Sequence, residues 1–272
     1  MKVRVIVHAG YHKTGTTSLQ DFLSANRRAL KPWLSYYGKA DFLAAGAHAR
    51  LYGQRPFPWR LWRFRRAFRQ FLDGIDDAAT IVLSRETFSG GMPGHRRIGG
   101  RLMTGYGRAA RPLARVIVAE LRRRFGPDTV IEFAYTTRER EAWIASVWGH
   151  LLRSIRLTDD FAAFRARFPD LQSPADEAAA MAAYLAPIPV TTIALEDHAD
   201  LPEGPGGAIL DLVGIPAKAR ARLAPARRAN SGQGSDLRAL FLDLNRTISD
   251  PGALKAAKEQ AMAAPHNRKA AQ

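Results

Sequence analysis

Residues 5–20 read Val5-Ile6-Val7-His8-Ala9-Gly10-Tyr11-His12-Lys13-Thr14-Gly15-Thr16-Thr17-Ser18-Leu19-Gln20. A short apolar run is followed by a turn with two glycines and then by the start of a helical pattern. This order predicts a buried strand, a tight turn and the first turn of a helix. Backbone N–H groups in such a turn converge on an anion, and the helix N-terminus adds positive potential. The stretch therefore predicts a phosphate-binding loop.

The lysine of this loop is displaced from the position that a nucleotide-hydrolysing loop requires. Gly10 and Gly15 have the spacing of a Walker A loop, G-x-x-x-x-G-K-[ST], yet position 16 is a threonine and the lysine is Lys13. A kinase or ATPase needs its lysine after the second glycine, where it reaches the β- and γ-phosphates. The loop therefore favours a different phosphoanion, and a P-loop kinase or NTPase is the alternative.

The pattern H-K-T-G-T-T-x-L-Q over residues 12–20 resembles the 5′-phosphosulfate loop of sulfotransferases that use 3′-phosphoadenosine 5′-phosphosulfate (PAPS) as donor. The resemblance implies that Lys13 stabilises charge on the donor, with His12 beside it as a second catalytic and donor-binding candidate. It also implies that the 5′-phosphate is held by hydroxyl and backbone N–H groups of Thr14, Gly15, Thr16 and Thr17.

A second stretch, residues 135–148, reads Y-T-T-R-E-R-E-A-W-I-A-S-V-W and predicts a strand that ends near an arginine, followed by a helix. Sulfotransferases carry a 3′-phosphate motif here, a strand-end arginine with a serine eight positions on, and Arg138 and Ser146 have that spacing. A guanidinium group forks onto phosphate oxygens, so the chemistry suits the role. The alternatives are a surface salt bridge between Arg138 and Glu141, and a helix-face hydroxyl for Ser146.

Two further segments resemble the same family. Ala194-Leu195-Glu196-Asp197 is similar to its strand-end element, and residues 209–215 are similar to the small helix that follows. Residues 227–232 resemble the loop that closes over the donor in bacterial members. The resemblance therefore makes Arg228 another candidate ligand of the 3′-phosphate, with an exposed basic linker as the alternative.

The candidate base follows the second predicted strand. Related families place a His or Glu at this strand end as the proton acceptor, and Glu86 has that position. Such a carboxylate needs a raised pKa or a tight hydrogen bond to the acceptor hydroxyl. The alternative for Glu86 is a structural salt bridge with Arg85 or Arg138. His12 and His8 flank the loop and are rival bases.

The remaining sequence predicts an α/β fold. Short apolar runs at 3–8, 80–84, 130–136 and 190–195 alternate with helical patterns, which is typical of a parallel sheet with crossover helices. The resemblance implies a P-loop-like three-layer sandwich with a central, mostly parallel sheet flanked by helices. We expect a single domain over 1–250, with insertions at about 38–75, 88–112 and 155–186. Residues 251–272 predict a surface helix or a flexible tail.

Composition limits the compartment and the partners. The chain has no cysteine, so disulfides and thiolate metal sites are excluded, and no His/Asp/Glu spacing predicts a metal. The apolar run at 3–7 is too short for a signal peptide and no run reaches the length of a membrane span, so we expect a cytoplasmic protein. The net charge of +16 suits an anionic donor, and no nucleic-acid module is present. A non-catalytic polyanion-binding protein is the alternative.

Two segments bear on what else the protein contacts. In residues 55–72 tryptophan and phenylalanine alternate with arginine, which predicts an amphipathic helix whose aromatic face packs on the body. Basic amphipathic helices also lie on anionic membranes, so peripheral membrane contact is the alternative. Residues 89–112, rich in glycine and arginine, predict a mobile loop on the acceptor side.

The resemblance as a whole implies an enzyme that transfers a sulfuryl group from PAPS to a hydroxyl of a carbohydrate or glycolipid. Adenosine 3′,5′-bisphosphate would be the other product. The sequence leaves the acceptor and the oligomeric state open, because the segments that would decide them carry no recognisable motif.

Overall fold

A computed structural model describes residues 2–95, 102–226 and 234–263. The strands are β1 Arg4–His8, β2 Ser35–Tyr37, β3 Thr80–Ser84, β4 Val130–Thr137 and β5 Val190–Ala194. The α-helices are α1 Thr16–Ala25, α2 Arg27–Leu30, α3 Leu43–Gln54, α4 Pro58–Asp73, α5 Gly107–Phe125, α6 Arg140–Ser154, α7 Phe161–Ala166, α8 Pro174–Leu185, α9 Leu195–His198, α10 Gly206–Val213, α11 Ala217–Arg220, α12 Ser235–Thr247 and α13 Pro251–Ala263. A short 3₁₀ helix spans Glu86–Ser89.

The five strands form one parallel sheet in the order β2-β3-β1-β4-β5. The predicted α/β class with a parallel central sheet is confirmed, and each of the four predicted strands is present. In the middle of the sheet, Ile6 of β1 is paired with Val82 of β3 and with Glu132 of β4. The strand that sequence reasoning missed is β2, which has only three residues and lies at the edge.

Both faces of the sheet are covered by helices, as a parallel sheet requires. On one face Ile6, Val82 and Ala134 pack with Phe22 of α1 and Ile209 of α10 in a buried cluster. Successive strand residues point to opposite faces, so the fully buried residues Val5, Val7, Ile81 and Leu83 line the other side. Helices α5 and α8 contact each other there, and α8 contacts β4. The sheet is therefore the middle of three layers.

The first predicted helix is interrupted. Its apolar stripe Leu19, Phe22, Leu23 and Leu30 is buried as expected, but α1 ends at Ala25 and a separate turn, α2, carries Leu30. The buried side chain of Asn26 donates to the carbonyl of Phe22 (3.0 Å) and to that of Ala224 (2.9 Å), and its Oδ1 accepts from the N–H of Ala224 (2.8 Å). The two bonds to Ala224, in a distant segment, hold Asn26 where the helix ends.

The predicted loop at 89–112 is shorter than expected. Helix α5 begins at Gly107, so Pro112 lies inside it. The N–H of Tyr106 donates to Oε1 of Glu177 (2.8 Å), a carboxylate of α8 that is held at the first turn of α5. A carboxylate at a helix N-terminus stabilises it, which explains why this glycine- and arginine-rich segment becomes helical.

The predicted amphipathic helix at 55–72 is α4. Phe64, Phe68 and Leu72 are fully buried along one stripe, spaced four residues apart. The two tryptophans, in contrast, are turned outward: Trp59 is 48% exposed and Trp62 is 57% exposed. The prediction that the aromatic face packs on the body is therefore right for Phe64 and Phe68 and wrong for the tryptophans, because the helix has a second aromatic face.

The contacts divide the chain into two compact units. The first comprises Met1–Trp143 and Leu171–Ala229 and contains the sheet; the second comprises Ile144–Asp170 and Asn230–Gln272. In the second unit Nζ of Lys258 donates to the carbonyls of Leu152 (2.6 Å) and Ile155 (2.9 Å), and Nδ2 of Asn245 also donates to Leu152 (3.0 Å). The part of the predicted tail that is described, Pro251–Ala263, is the helix α13.

Within the described ranges, none of the helices combines the length and the apolar composition that a bilayer crossing requires.

Replacement of Phe68 by alanine is expected to lower the free energy of unfolding by about 3–5 kcal/mol, the usual cost of removing a buried phenyl ring. Phe68 is fully buried and contacts the rings of Phe64 (5.6 Å between centroids) and Phe88 (5.7 Å). Trp62→Ala on the same helix is the matched control, with an expected loss under about 1 kcal/mol. Urea unfolding measures both; similar losses would contradict the two-faced description of α4.

Candidate functional site

Three candidate residues follow the ends of three adjacent strands. Lys13 follows β1, Glu86 follows β3 and Arg138 follows β4, and β1 lies between the other two strands. Since the strands are parallel, their carboxyl ends meet at one edge of the sheet. The chain passes from β1 to β2 on one side of the sheet and from β4 to β5 on the other. The carboxyl ends of β1 and β4 therefore form a switch point, the position at which open α/β sheets bind ligands.

The threonines of the loop are held by the end of β4. Oγ1 of Thr14 donates to the carbonyl of Tyr11 (2.7 Å) and lies 2.7 Å from Oγ1 of Thr136. Oγ1 of Thr16 donates to the same carbonyl (2.9 Å) and lies 3.2 Å from Oγ1 of Thr136. Both hydroxyl groups are thus engaged in hydrogen bonds that shape the loop, whereas Thr17 is exposed at the first turn of α1.

At Gly10 and Gly15 neighbouring atoms lie so close to the backbone that a side chain would not fit. A Cβ atom on Gly10 would overlap the hydroxyl of Thr136 and lie 2.6 Å from Nε2 of His8. A Cβ atom on Gly15 would lie 2.6 Å from Cδ1 of Leu195, and its φ of 89° is left-handed. Lys13 is left-handed as well, with φ of 70°, an uncommon conformation for a residue with a side chain. The loop is therefore tightly curved against β4 and α9.

Three carbonyl groups of the loop accept hydrogen bonds from side chains of the protein. The carbonyl of Tyr11 is bound by the two threonines, that of His12 by Nε1 of Trp143 (2.9 Å), and that of Lys13 by Nη1 of Arg138 (3.5 Å). In a trans peptide the N–H group points in the direction opposite to the carbonyl group of the same peptide unit. The N–H groups of residues 12–14 therefore point away from the side chains that bind these carbonyls. Further donors come from α1, whose first N–H groups have no acceptor within the helix. The backbone N–H groups of the loop therefore lie on the side away from these carbonyls.

Arg138 connects the loop to the start of α6. Its side chain is half-buried and contacts the Lys13 carbonyl, while the next residue, Glu139, accepts from the N–H groups of Glu141 (2.9 Å) and Ala142 (2.7 Å). The N–H of Glu139 in turn donates to Oε1 of Glu196 (2.9 Å). The turn after β4 is therefore fixed at both ends, and the positive charge of Arg138 stays beside the loop.

Glu86 and His12 interact electrostatically. Burial raises the pKa of Glu86, but His12, its own backbone N–H, Gln20 and Arg85 together lower the pKa by more, so it lies below the ordinary value. Burial lowers the pKa of His12 to about 4; Glu86 opposes that shift, while His95 and Lys13 add to it. At neutral pH the site therefore holds an ionised carboxylate beside an uncharged imidazole.

His8 lies under the loop and is fully buried. Its Nδ1 is 2.7 Å from Oγ of Ser84, and its Nε2, near Gly10, has no hydrogen-bond partner among the described residues. Burial lowers the pKa of His8 to about 4, with Glu86 acting in the opposite direction. The uncharged ring thus occupies the floor of the loop.

Glu86 and His12 have two further neighbours: sequence reasoning missed Gln20 and could not place His95. Gln20 donates through Nε2 to Oε2 of Glu86 (3.2 Å). Helical spacing was a usable signal for it, because residue 20 lies one turn after Thr16, on the same side of α1. His95 lies close enough to His12 to lower its pKa, and no spacing rule could have placed it, since it belongs to an irregular segment.

For two candidate residues the structure does not show a position beside Lys13, Glu86 and Arg138. Ser146 lies on α6 in the second unit, six residues after the helix begins, and its role stays a prediction. Arg228 lies outside the described residues; the described chain before it ends at Ala226, whose N–H donates to the carbonyl of Pro202 (2.7 Å).

Comparison with known proteins returned no match, neither among protein-family models nor among curated proteins. Within 2–95, 102–226 and 234–263, no three His, Asp or Glu side chains are grouped so as to hold a metal ion.

The low pKa of His8 predicts a loss of stability in acid. The folded state keeps the ring uncharged down to about pH 4, whereas the unfolded chain takes up the proton near pH 6.5. The unfolded state therefore binds more protons between these values, and the free energy of unfolding falls as the pH falls, by about 3 kcal/mol for this residue. Urea unfolding from pH 7 to pH 4 measures it. His8→Asn should lose this part of the dependence; equal slopes in variant and wild type would contradict the assignment.

Proposed function

We propose that the chain is a sulfotransferase that moves a sulfuryl group from PAPS to an acceptor hydroxyl. The observation that carries the proposal is the pairing of the loop with Arg138, whose Nη1 contacts the carbonyl of Lys13. One anion site formed by backbone N–H groups thereby adjoins a guanidinium group from the next strand. Two neighbouring sites for phosphate suit a 3′,5′-substituted adenosine donor.

The shape of the loop supports the fit of such a donor. Gly10 and Gly15 let the loop pack closely on Thr136 and Leu195, which keeps its backbone in the tight curve that a phosphate-binding loop needs. Because the hydroxyl groups of Thr14 and Thr16 are engaged with Tyr11 and Thr136, we assign the 5′-phosphate to the backbone N–H groups, to the N-terminus of α1 and to Thr17. Arg138 is assigned to the 3′-phosphate, with Ser146 and Arg228 as further candidates.

The reaction follows from the charges at the strand ends. The donor supplies the sulfuryl group: its bond to the bridging phosphate oxygen breaks as a bond to the acceptor oxygen forms, in line. Lys13 and the helix N-terminus stabilise the negative charge that collects on the departing oxygen. Glu86, ionised at neutral pH, accepts the proton of the acceptor hydroxyl, and Gln20 holds the carboxylate in place. His12 is the alternative proton acceptor.

We assign the acceptor to carbohydrates or glycolipids and the enzyme to the cytoplasm, where the donor is made. This assignment rests on the resemblance of the loop to the sulfotransferase motif.

Adenosine 3′,5′-bisphosphate is expected to raise the melting temperature of the wild type, since a ligand at 100 times its Kd stabilises by about 2.7 kcal/mol. Lys13→Ala and Arg138→Ala should each weaken binding by about tenfold or more, because each removes a charge-assisted hydrogen bond. Arg28→Ala, at an exposed site on α2, is the control and should bind like wild type. No stabilisation at millimolar ligand would refute the donor site. Magnesium-dependent ATP hydrolysis without this binding would instead indicate a P-loop NTPase.

Glu86→Gln should bind adenosine 3′,5′-bisphosphate as the wild type does and lose turnover by about 10²–10⁴-fold, the usual contribution of a general base. The amide keeps the size of the side chain but cannot take a proton. Turnover is measured with labelled PAPS and a panel of carbohydrate and glycolipid acceptors. Full activity in this variant, with a comparable loss in His12→Gln, would transfer the role to His12.

A further inference from the structure

The outward face of α4 carries aromatic side chains that the core does not use. We call it the Trp/Arg face and define it as Phe57, Trp59, Arg60, Trp62, Arg63 and Arg66. Its three aromatic residues are 41%, 48% and 57% exposed in chain order. The buried stripe of α4 meets the core on its own, so packing within the unit does not explain two exposed tryptophans on one helix. Exposed aromatic residues that cluster in this way mark an interaction surface.

The arginines of this face are held over the rings. The guanidinium carbon of Arg60 lies 4.8 Å from the ring centre of Trp59, and that of Arg63 lies 5.1 Å from the same centre. The guanidinium carbon of Arg66 lies 5.8 Å from the ring centre of Trp62. A ring attracts a cation without neutralising it, so the positive charge remains available to an anionic partner.

Among the residues that the structure describes, acidic side chains balance only part of the positive charge of α4. Residues 55–73 contain six arginines and one acidic residue, Asp73. Arg65 and Arg69 donate to Glu120, whose side chain is fully buried, at 2.6 and 2.8 Å. Arg63 and Arg66 are exposed and contact the tryptophan rings. The excess of positive charge on this face suits an anionic partner.

The arrangement favours a lipid surface over a nucleic acid. Single-stranded nucleic acids bind by stacking bases on the flat faces of aromatic rings, and here guanidinium groups already lie over Trp59 and Trp62. Indole rings belong to the boundary between headgroups and acyl chains, with arginine side chains reaching the phosphates. A depression of about 370 Å³ lined by Trp62, Arg65, Arg66 and Arg69 is large enough for a headgroup phosphate.

We propose that the Trp/Arg face docks the protein onto an anionic lipid surface. Trp59 and Trp62 enter the boundary region, and Arg63 and Arg66 bind lipid phosphates. The proposal is independent of sulfuryl transfer, because it uses no residue of the loop site.

Flotation of the full chain with lipid vesicles tests the proposal. The wild type should bind vesicles of mixed phosphatidylcholine and phosphatidylglycerol, bind phosphatidylcholine alone weakly, and lose binding as salt rises. Arg63→Gln with Arg66→Gln should weaken binding to anionic vesicles roughly 25-fold, about fivefold for each arginine. Trp59→Ala with Trp62→Ala should weaken it about tenfold or more, also at high salt, where the apolar contribution remains.

Matched variants on the α1–α2 side of the sheet provide the control. Arg28 is exposed there and Trp33 is 36% exposed, so Arg28→Gln and Trp33→Ala remove the same kinds of side chain elsewhere. Both should bind vesicles like the wild type, and melting temperatures check that every variant is folded. The proposal would be overturned if the wild type did not bind anionic vesicles. It would also be overturned if the control variants lost as much binding as the variants of the Trp/Arg face. Binding of a single-stranded RNA oligonucleotide that depends on Trp59 and Trp62, while vesicles stay unbound, would overturn it as well.

Discussion

The loop after β1 passes so close to the end of β4 that no side chain fits at Gly10. This approach brings the hydroxyl groups of Thr14 and Thr16 onto Thr136 and lets both donate to the carbonyl of Tyr11. The loop is thereby attached to β4, the strand that carries Arg138. The backbone of the loop and the side chain of Arg138 are therefore held at a fixed separation. In the proposed function, this separation is what would distinguish a bisphosphate from a single phosphate.

The same closeness leaves polar atoms unsatisfied. Nε2 of His8, Nδ1 of His12 and the hydroxyl of Tyr11 are buried without a hydrogen-bond partner among the described residues. Each such atom lowers stability, since burial removes its bonds to water. Burial also raises the pKa of Tyr11 and lowers those of both histidines, so all three groups stay uncharged at neutral pH.

The sequence predicted what depends on local order. The four longer strands and the turn between β1 and α1 follow from apolar runs and from the spacing of the glycines. The family resemblance suggested that Glu86 and Arg138 follow strand ends. The sequence could not predict what distant partners decide. Helix α1 ends where Asn26 binds Ala224, and α5 begins where Glu177 accepts from Tyr106. For the same reason the threonine hydroxyls, which suggested phosphate ligands, turned out to be engaged by Thr136.

Glu120 has a consequence for the direction that α4 faces. Its carboxylate binds Arg65 and Arg69 of α4 and Arg123 of α5, and these bonds outweigh burial and lower its pKa to about 2. Because two residues four positions apart share one acceptor, α4 cannot rotate about its axis without breaking both bonds. One residue inserted between Trp62 and Arg65 would turn both tryptophans by about 100° relative to this anchor. The buried carboxylate of Glu120 therefore fixes the rotation of α4, and with it the direction in which the two tryptophans point.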